Sequence, residues 1–99
     1  VYYIYGTKDG VSRGFHAHLN LNQVAVCLAG SCRFVLDNGK QKEEFVLDNT
    51  STGILIKGLI WHEMYDFSSD CVLMVLASDY YIESDYIRDY DEFLKVVNV

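Results

Sequence analysis

Apolar and polar positions along this chain fall into short runs, each closed by glycine or an Asx residue. "VYYIYG" stays apolar up to Gly6 and gives way to a polar stretch, "TKDGVSRG". "NQVAVCLAG" and "SCRFVLDNG" are rich in strand-forming residues and meet at Gly30 and Ser31. Asp37, Asn38 and Gly39 form a strong hairpin signal ahead of "KQKEEFVLD". "TGILIKG", "IWHEMYDF" and "DCVLMVLASDYY" complete the series. Turn signals recur about every ten residues, the rhythm of an antiparallel sandwich or barrel. The tail changes period. Tyr86, Ile87, Tyr90, Phe93, Leu94 and Val97 recur at three- and four-residue intervals, which predicts a helix on the outside of the β domain. Ser84 or Asp85 is its expected cap.

Composition narrows the class. Ninety-nine residues, 51% of them hydrophobic, imply one packed domain over residues 1–99. Eight Tyr and five Phe serve either the core or a sugar or nucleotide platform. A net charge of -6 excludes nonspecific nucleic-acid binding, which needs a basic footprint. Cys27, Cys32 and Cys71 lack CxxC spacing and read as buried free thiols in a reducing cytoplasm. Neither a membrane-length apolar run nor a signal peptide is visible, so no membrane partner is expected. "GTKDGVSRG" is spaced by glycines but fits neither the Walker nor the dinucleotide pattern. The chain starts without Met inside a strand-like run, and sequence upstream of Val1 is expected.

"SRGFHAHLN" carries the chemistry. On a strand, His16 and His18 share one face while Phe15 and Ala17 take the other. Two such imidazoles can be metal ligands, proton-transfer groups or surface residues. The spacing Gly10-x5-His16-x-His18-x4-Gln23-x6-Gly30 resembles the first signature motif of the cupin superfamily. Gly53 to His62 resembles the second, in a shorter form without its proline. This resemblance implies an all-β, RmlC-like jelly-roll barrel with the predicted C-terminal helix attached. Metal-binding cupins place a glutamate where this chain has Gln23, and a neutral amide brings no charge to offset a cation. Three imidazoles alone can still hold zinc. A metal-free acid/base site and a metal site therefore both stay open, with the first expected.

A narrower likeness covers the whole chain. "RGFHAH", "WHEM", "CVLMVLASDYY" and "DYIRDY" resemble the sugar 3,4-ketoisomerase, or WxcM-like, family of cupins. That implies an isomerase moving the keto group of a dTDP-4-keto-6-deoxyhexose such as dTDP-4-keto-6-deoxyglucose from C4 to C3, in deoxysugar biosynthesis for polysaccharides and glycosides. It also implies no cofactor, a homodimer that exchanges N-terminal strands, and an N-terminal segment not present in this sequence. His16 and His18 are the expected proton-transfer pair, with His62 completing the cluster, because imidazole titrates close to working pH. Arg13 is the candidate for pyrophosphate contact, through its bidentate fork. Gln23 is expected to bond sugar hydroxyls or to orient a histidine, and Tyr3 and Tyr5 share a strand face near the sugar. Arg33 and Arg88 are weaker candidates, and Trp61 should face the core. The galacto and gluco products stay open, as do three rivals: an epimerase on the same substrate class, a metal-binding cupin and a non-catalytic nucleotide-sugar module.

Overall fold

The computed structural model describes residues 1–8 and 10–98. Strands form where the apolar runs predict them: β1 (Tyr2–Tyr5), β2 (Arg13–His18), β3 (Gln23–Ala29), β4 (Cys32–Asp37) and β5 (Lys42–Leu47). β6 (Gly53–Ile56), β7 (Trp61–Tyr65), β8 (Val72–Ala77) and the short β9 (Tyr86–Ile87) follow, and α1 (Tyr90–Val97) closes the chain. All the recorded strand pairs are antiparallel. They make a four-stranded sheet, β1-β8-β3-β6, and a five-stranded sheet, β5-β4-β7-β2-β9. This is the expected jelly roll with a C-terminal helix. The two sheets remain separate among the described residues, so it is an open sandwich and not a closed barrel.

Alternation sets which side chains fill the space between the sheets. Gln23, Ala25 and Cys27 point inward from β3, and Ile54 and Ile56 do so from β6. They join Phe34, Leu47, Met64, Phe67, Leu73 and Val75 in the main core. The three cysteines are buried and unbridged, as expected, with Cys27 and Cys71 sulfurs 3.7 Å apart. Val24, Leu55 and Leu76 lie side by side in register on the opposite face of the four-stranded sheet and are exposed.

A second cluster forms outside the five-stranded sheet, where Ala17, Trp61, Ile87 and Phe93 bury one another. Trp61 is core on the side opposite His62, as predicted. The helix begins later than its sequence pattern predicts. Asp89 caps it by accepting bonds from the Asp91 and Glu92 amides, so neither Ser84 nor Asp85 does. Tyr86 and Ile87 instead pair with His18 and Ala17 as β9. The apolar spacing looks continuous because Ile87 and Phe93 reach one cluster from two different elements. Backbone pairing with the free edge of β2 decides where one element ends.

Candidate active site

The site lies at one end of the sandwich, around the C-terminal half of β2. Gly14 opposes Glu63 and His16 opposes His62, so Phe15 is an extra residue on β2. Gly14 (φ 91°) and Phe15 (φ 58°) both take left-handed backbone, the signature of a bulge. A Cβ on Gly14 would lie 2.8 Å from the His62 carbonyl oxygen, so glycine is required where β2 presses on β7. The bulge resets the alternation: Arg13 and His16, three residues apart, both line one cavity. In an unbroken strand they would face opposite sides.

The cavity measures about 930 Å³, and Tyr2, Gln23 and Tyr86 join Arg13, His16 and His18 in its lining. The three imidazoles come together: the His16 ring centroid is 5.0 Å from that of His18 and 4.4 Å from that of His62. Their exposure differs. His16 is half-buried at the cavity wall, His18 is 2% exposed, and His62, also 2% exposed, sits behind His16 and outside the lining. Two further predicted residues are absent from the cavity. Tyr3 and Tyr5 are 53% and 72% exposed, while Tyr2 and Ile4 line it in their place. Strand β1 is paired with β8 so that Tyr2 opposes the buried Val75, which turns Tyr3 outward. Gln23 is buried and donates to the Tyr2 hydroxyl at 3.0 Å. Arg13 makes no ion pair among the described residues. Arg33 lies away from the cavity, pairing with Asp66 and Glu44.

Hydrogen bonding orients the rings. His16 Nδ1 lies 3.0 Å from the Gly14 carbonyl oxygen. The carbonyl can only accept, so this nitrogen carries the proton and Nε2 has the free lone pair. Burial pulls the His16 pKa down to about 4, ahead of the opposing effect of the Gly14 bond. His62 falls to about 3, again chiefly through burial, helped by the neighbouring imidazoles. His18 is also lowered by burial, but Asp85 works against the shift. All three rings are therefore neutral near pH 7, the form that accepts a proton.

Two contributors, Asp85 and Tyr86, escape the sequence reading as site residues, and a third, Arg88, enters it only as a weaker candidate. Asp85 Oδ2 lies 3.3 Å from His18 Nδ1, on a line oblique for a hydrogen bond. Tyr86 packs its ring against both lining histidines, at 4.3 Å from His18 and 4.9 Å from His16. Burial raises its pKa, so its hydroxyl keeps its proton and remains a donor. Arg88 covers the outer face of Tyr86 at 4.1 Å and is held by Glu83. All three residues fall in the stretch whose spacing imitates a helix. The "ESDYIR" segment carries no motif of its own, and only its pairing with β2 brings it here.

The three imidazoles do not gather three potential ligand atoms within 4.8 Å of one another. Among the described residues, the set of potential ligand atoms gathered within 4.8 Å of one another is Cys27, Cys32 and Cys71, deep in the core.

Two facing antiparallel sheets with a histidine-walled cavity at one end define a small cupin-type jelly roll built for proton transfer on a bound small molecule. The chain belongs to the family described as WxcM-like, C-terminal (FdtA), which it matches over residues 1–98. It is 59% identical over 97 residues to the TDP-4-oxo-6-deoxy-alpha-D-glucose-3,4-oxoisomerase of Aneurinibacillus thermoaerophilus, covering 98% of this chain and 70% of that protein. The TDP-fucose-3,4-ketoisomerase of Campylobacter jejuni superposes with a TM-score of 0.96 at 43% identity, over 98% of this chain and 72% of that one. A 3,4-ketoisomerase of Thermoanaerobacterium thermosaccharolyticum, solved as a His-to-Asn variant with TDP-4-keto-6-deoxyglucose, gives 0.96 at 41% identity, over 98% and 70%.

Proposed function

We propose that this chain is the catalytic domain of a dTDP-4-keto-6-deoxyhexose 3,4-ketoisomerase that works by histidine acid/base chemistry without a metal. The C3–H bond is acidified by the neighbouring C4 carbonyl. A neutral imidazole takes that proton, the bonding pair becomes a C3=C4 double bond, and O4 gains a proton. The enediol then collapses the other way: O3 loses its proton to form the new carbonyl, and C4 takes up a proton. No electrons leave the substrate, so no redox cofactor is required.

One observation carries the proposal: His16 and His18, both lowered in pKa, line one cavity beside Arg13. Positioned proton transfer of this kind contributes about 10²–10⁴-fold in rate. Arg13, with no carboxylate partner among the described residues, is available to a pyrophosphate, and Gln23 and Tyr2 to sugar hydroxyls. His62 acts from behind, its ring packed on His16. The metal-free reading is supported by Gln23 standing in place of an acidic ligand and by the looser arrangement of the imidazole nitrogens.

The apolar outer face of the four-stranded sheet supports a homodimer, since Tyr3, Val24, Leu55 and Leu76 expose contiguous apolar surface there. Tyr3 and Tyr5 thereby move from the sugar to the subunit interface. The proposed setting is the cytoplasm, where activated sugars are made, and no described helix is long and apolar enough to cross a membrane.

Incubation with dTDP-4-keto-6-deoxyglucose in deuterated water, followed by NMR of the product, tests the activity. The carbonyl should relocate to C3 with deuterium arriving at C4; a carbonyl that stays at C4 indicates epimerisation and defeats the proposal. His16→Asn and His18→Asn should abolish turnover while leaving dTDP binding largely intact. Stoichiometric metal retained through purification, with activity lost on its removal, would overturn the metal-free mechanism.

A further inference from the structure

All three cysteines of the chain meet at one point. Cys27 comes from β3, Cys32 opens β4 and Cys71 stands just ahead of β8, yet their sulfurs lie within 4.8 Å of one another. Those of Cys27 and Cys71 are 3.7 Å apart. Two turns hold the cluster. Ser31 N donates to Ser68 Oγ at 2.8 Å, Ser68 N donates to the Ser31 carbonyl at 2.9 Å, and Cys71 N donates to the Ser68 carbonyl at 3.1 Å. These turns press together so closely at Gly30 that a Cβ there would lie 2.8 Å from Cys71 N. The Ala29 and Gly30 carbonyls aim the Cys27 thiol, which donates to them at 3.1 and 3.3 Å. A cysteine that only fills space needs no second thiol beside it; here three elements each deliver one to the same place. We propose that Cys27, Cys32 and Cys71 form a three-sulfur site for a trivalent thiophilic element of the arsenic group, taken up as its uncharged hydroxide. The site does not depend on the ketoisomerase reading. Gln23 opposes Ala77 beside the cavity, whereas Cys27 opposes Leu73, about 13 Å further along β3.

Ligand count and charge select the occupant. Structural zinc takes four ligands, whereas among the described residues no histidine, aspartate or glutamate joins these three sulfurs. Bonds of about 2.3 Å place two sulfurs on a three-coordinate centre no more than about 4 Å apart. The Cys27–Cys71 pair already meets that limit, and the remaining closure is under about 1 Å. Charge then fixes the valence. Asp70, the charged group acting on Cys71, is an anion. Arg33, next to Cys32 along β4, turns away to Asp66 and Glu44. Burial pushes the Cys71 thiol up to about 11 and raises Cys32 in the same direction, so both stay protonated at neutral pH. Three thiolates around a monovalent or divalent ion would leave net negative charge in the core, which is costly without a partner. Around a trivalent centre they leave none. Binding balances atom for atom: each As–O bond of arsenous acid is exchanged for an As–S bond, each thiol proton leaves with a hydroxyl as water, and arsenic stays trivalent.

The test is an anaerobic titration of the folded chain with arsenous acid, followed by the near-ultraviolet absorbance of sulfur–arsenic bonds and by native mass spectrometry. One arsenic should bind per chain with loss of three waters. Because no net proton is released, the affinity should change by less than about threefold between about pH 6 and pH 8, whereas a cation that displaces thiol protons loses at least about tenfold per unit of acidification. Cys27→Ala, Cys32→Ala and Cys71→Ala should each weaken binding by at least about 10²-fold, since each removes one of three linked contacts. His16→Asn, at the other end of the sandwich, should bind arsenic as the parent does. Trp61 fluorescence in urea checks that every variant is folded. Should a cysteine variant fail that check, the stoichiometry and the flat pH profile of the parent still decide the matter. No arsenic on the folded parent, binding that appears only in urea, a steep loss of affinity on acidification, or folded two-thiol variants that bind as tightly as the parent would each overturn the proposal.

Discussion

Burying a neutral histidine makes folding stability depend on pH, and His62 should supply a measurable share. Its folded pKa lies at about 3, depressed from 6.5 by burial and by His16 and His18. A depressed histidine binds its proton more tightly in the unfolded chain than in the folded one. Its contribution is therefore intact above pH 6.5 and is lost progressively as pH falls from about 6.5 towards 3. Across pH 7 to 5 one such group removes about 2 kcal/mol, from a limiting slope of about 1.4 kcal/mol per unit. His16 and His18 shift in the same direction, so the parent protein's total loss is larger. Subtraction isolates His62: urea unfolding of the parent and of His62→Asn, at pH 7 and pH 5, followed by the fluorescence of Trp61, the chain's single tryptophan. Both proteins share every other titrating group. The parent should lose about 2 kcal/mol more than the variant over that interval. If the two losses agree within about 0.5 kcal/mol, His62 is protonated equally easily in both states and the burial argument is wrong.

Three further outcomes are expected. Phe93→Ala should cost about 3–5 kcal/mol in urea unfolding, because this fully buried ring joins α1 to Trp61 and Ile87; a loss under about 1 kcal/mol would show that the helix is not docked there. Gly14→Ala should reduce both stability and kcat, since the new methyl meets the His62 carbonyl at 2.8 Å, whereas Gly6→Ala, with a similar left-handed backbone but nothing within 4 Å, should leave kcat unchanged. Asp89→Ala should remove about 1 kcal/mol by freeing the Asp91 and Glu92 amides, visible as a lowered urea midpoint.

Most of the β architecture is legible along the chain because each strand's alternation is a local property. Gln23, Ala25 and Cys27 turn inward, and Val24 and Leu28 outward, wherever β3 is placed. His16 and His18 were recognisable from their spacing for the same reason. Arg13 shows where local reasoning stops. Alternation alone would place it opposite His16, and the bulge at Gly14 and Phe15 returns it to the cavity. That bulge depends on the contact between Gly14 and the His62 backbone, 48 residues further along. Tyr3 and Tyr5 lie away from the cavity for a related reason: both faces of β1 carry tyrosine, and only its register with β8 selects Tyr2 for the cavity.

Local pattern was enough for strands β1 to β8, an antiparallel sandwich or barrel, the buried thiols and the imidazole pair. These follow from period, turn chemistry and residue type, all encoded within about ten residues. Only long-range packing brought Asp85 and Tyr86 to face the histidines, because residues 83–87, a 3-10 turn over Glu83–Asp85 followed by β9, have no local reason to lie along β2. Their backbone takes up the hydrogen bonds left open along the edge of β2 and beyond it, and this long-range pairing, between positions more than sixty residues apart, carries a carboxylate to His18.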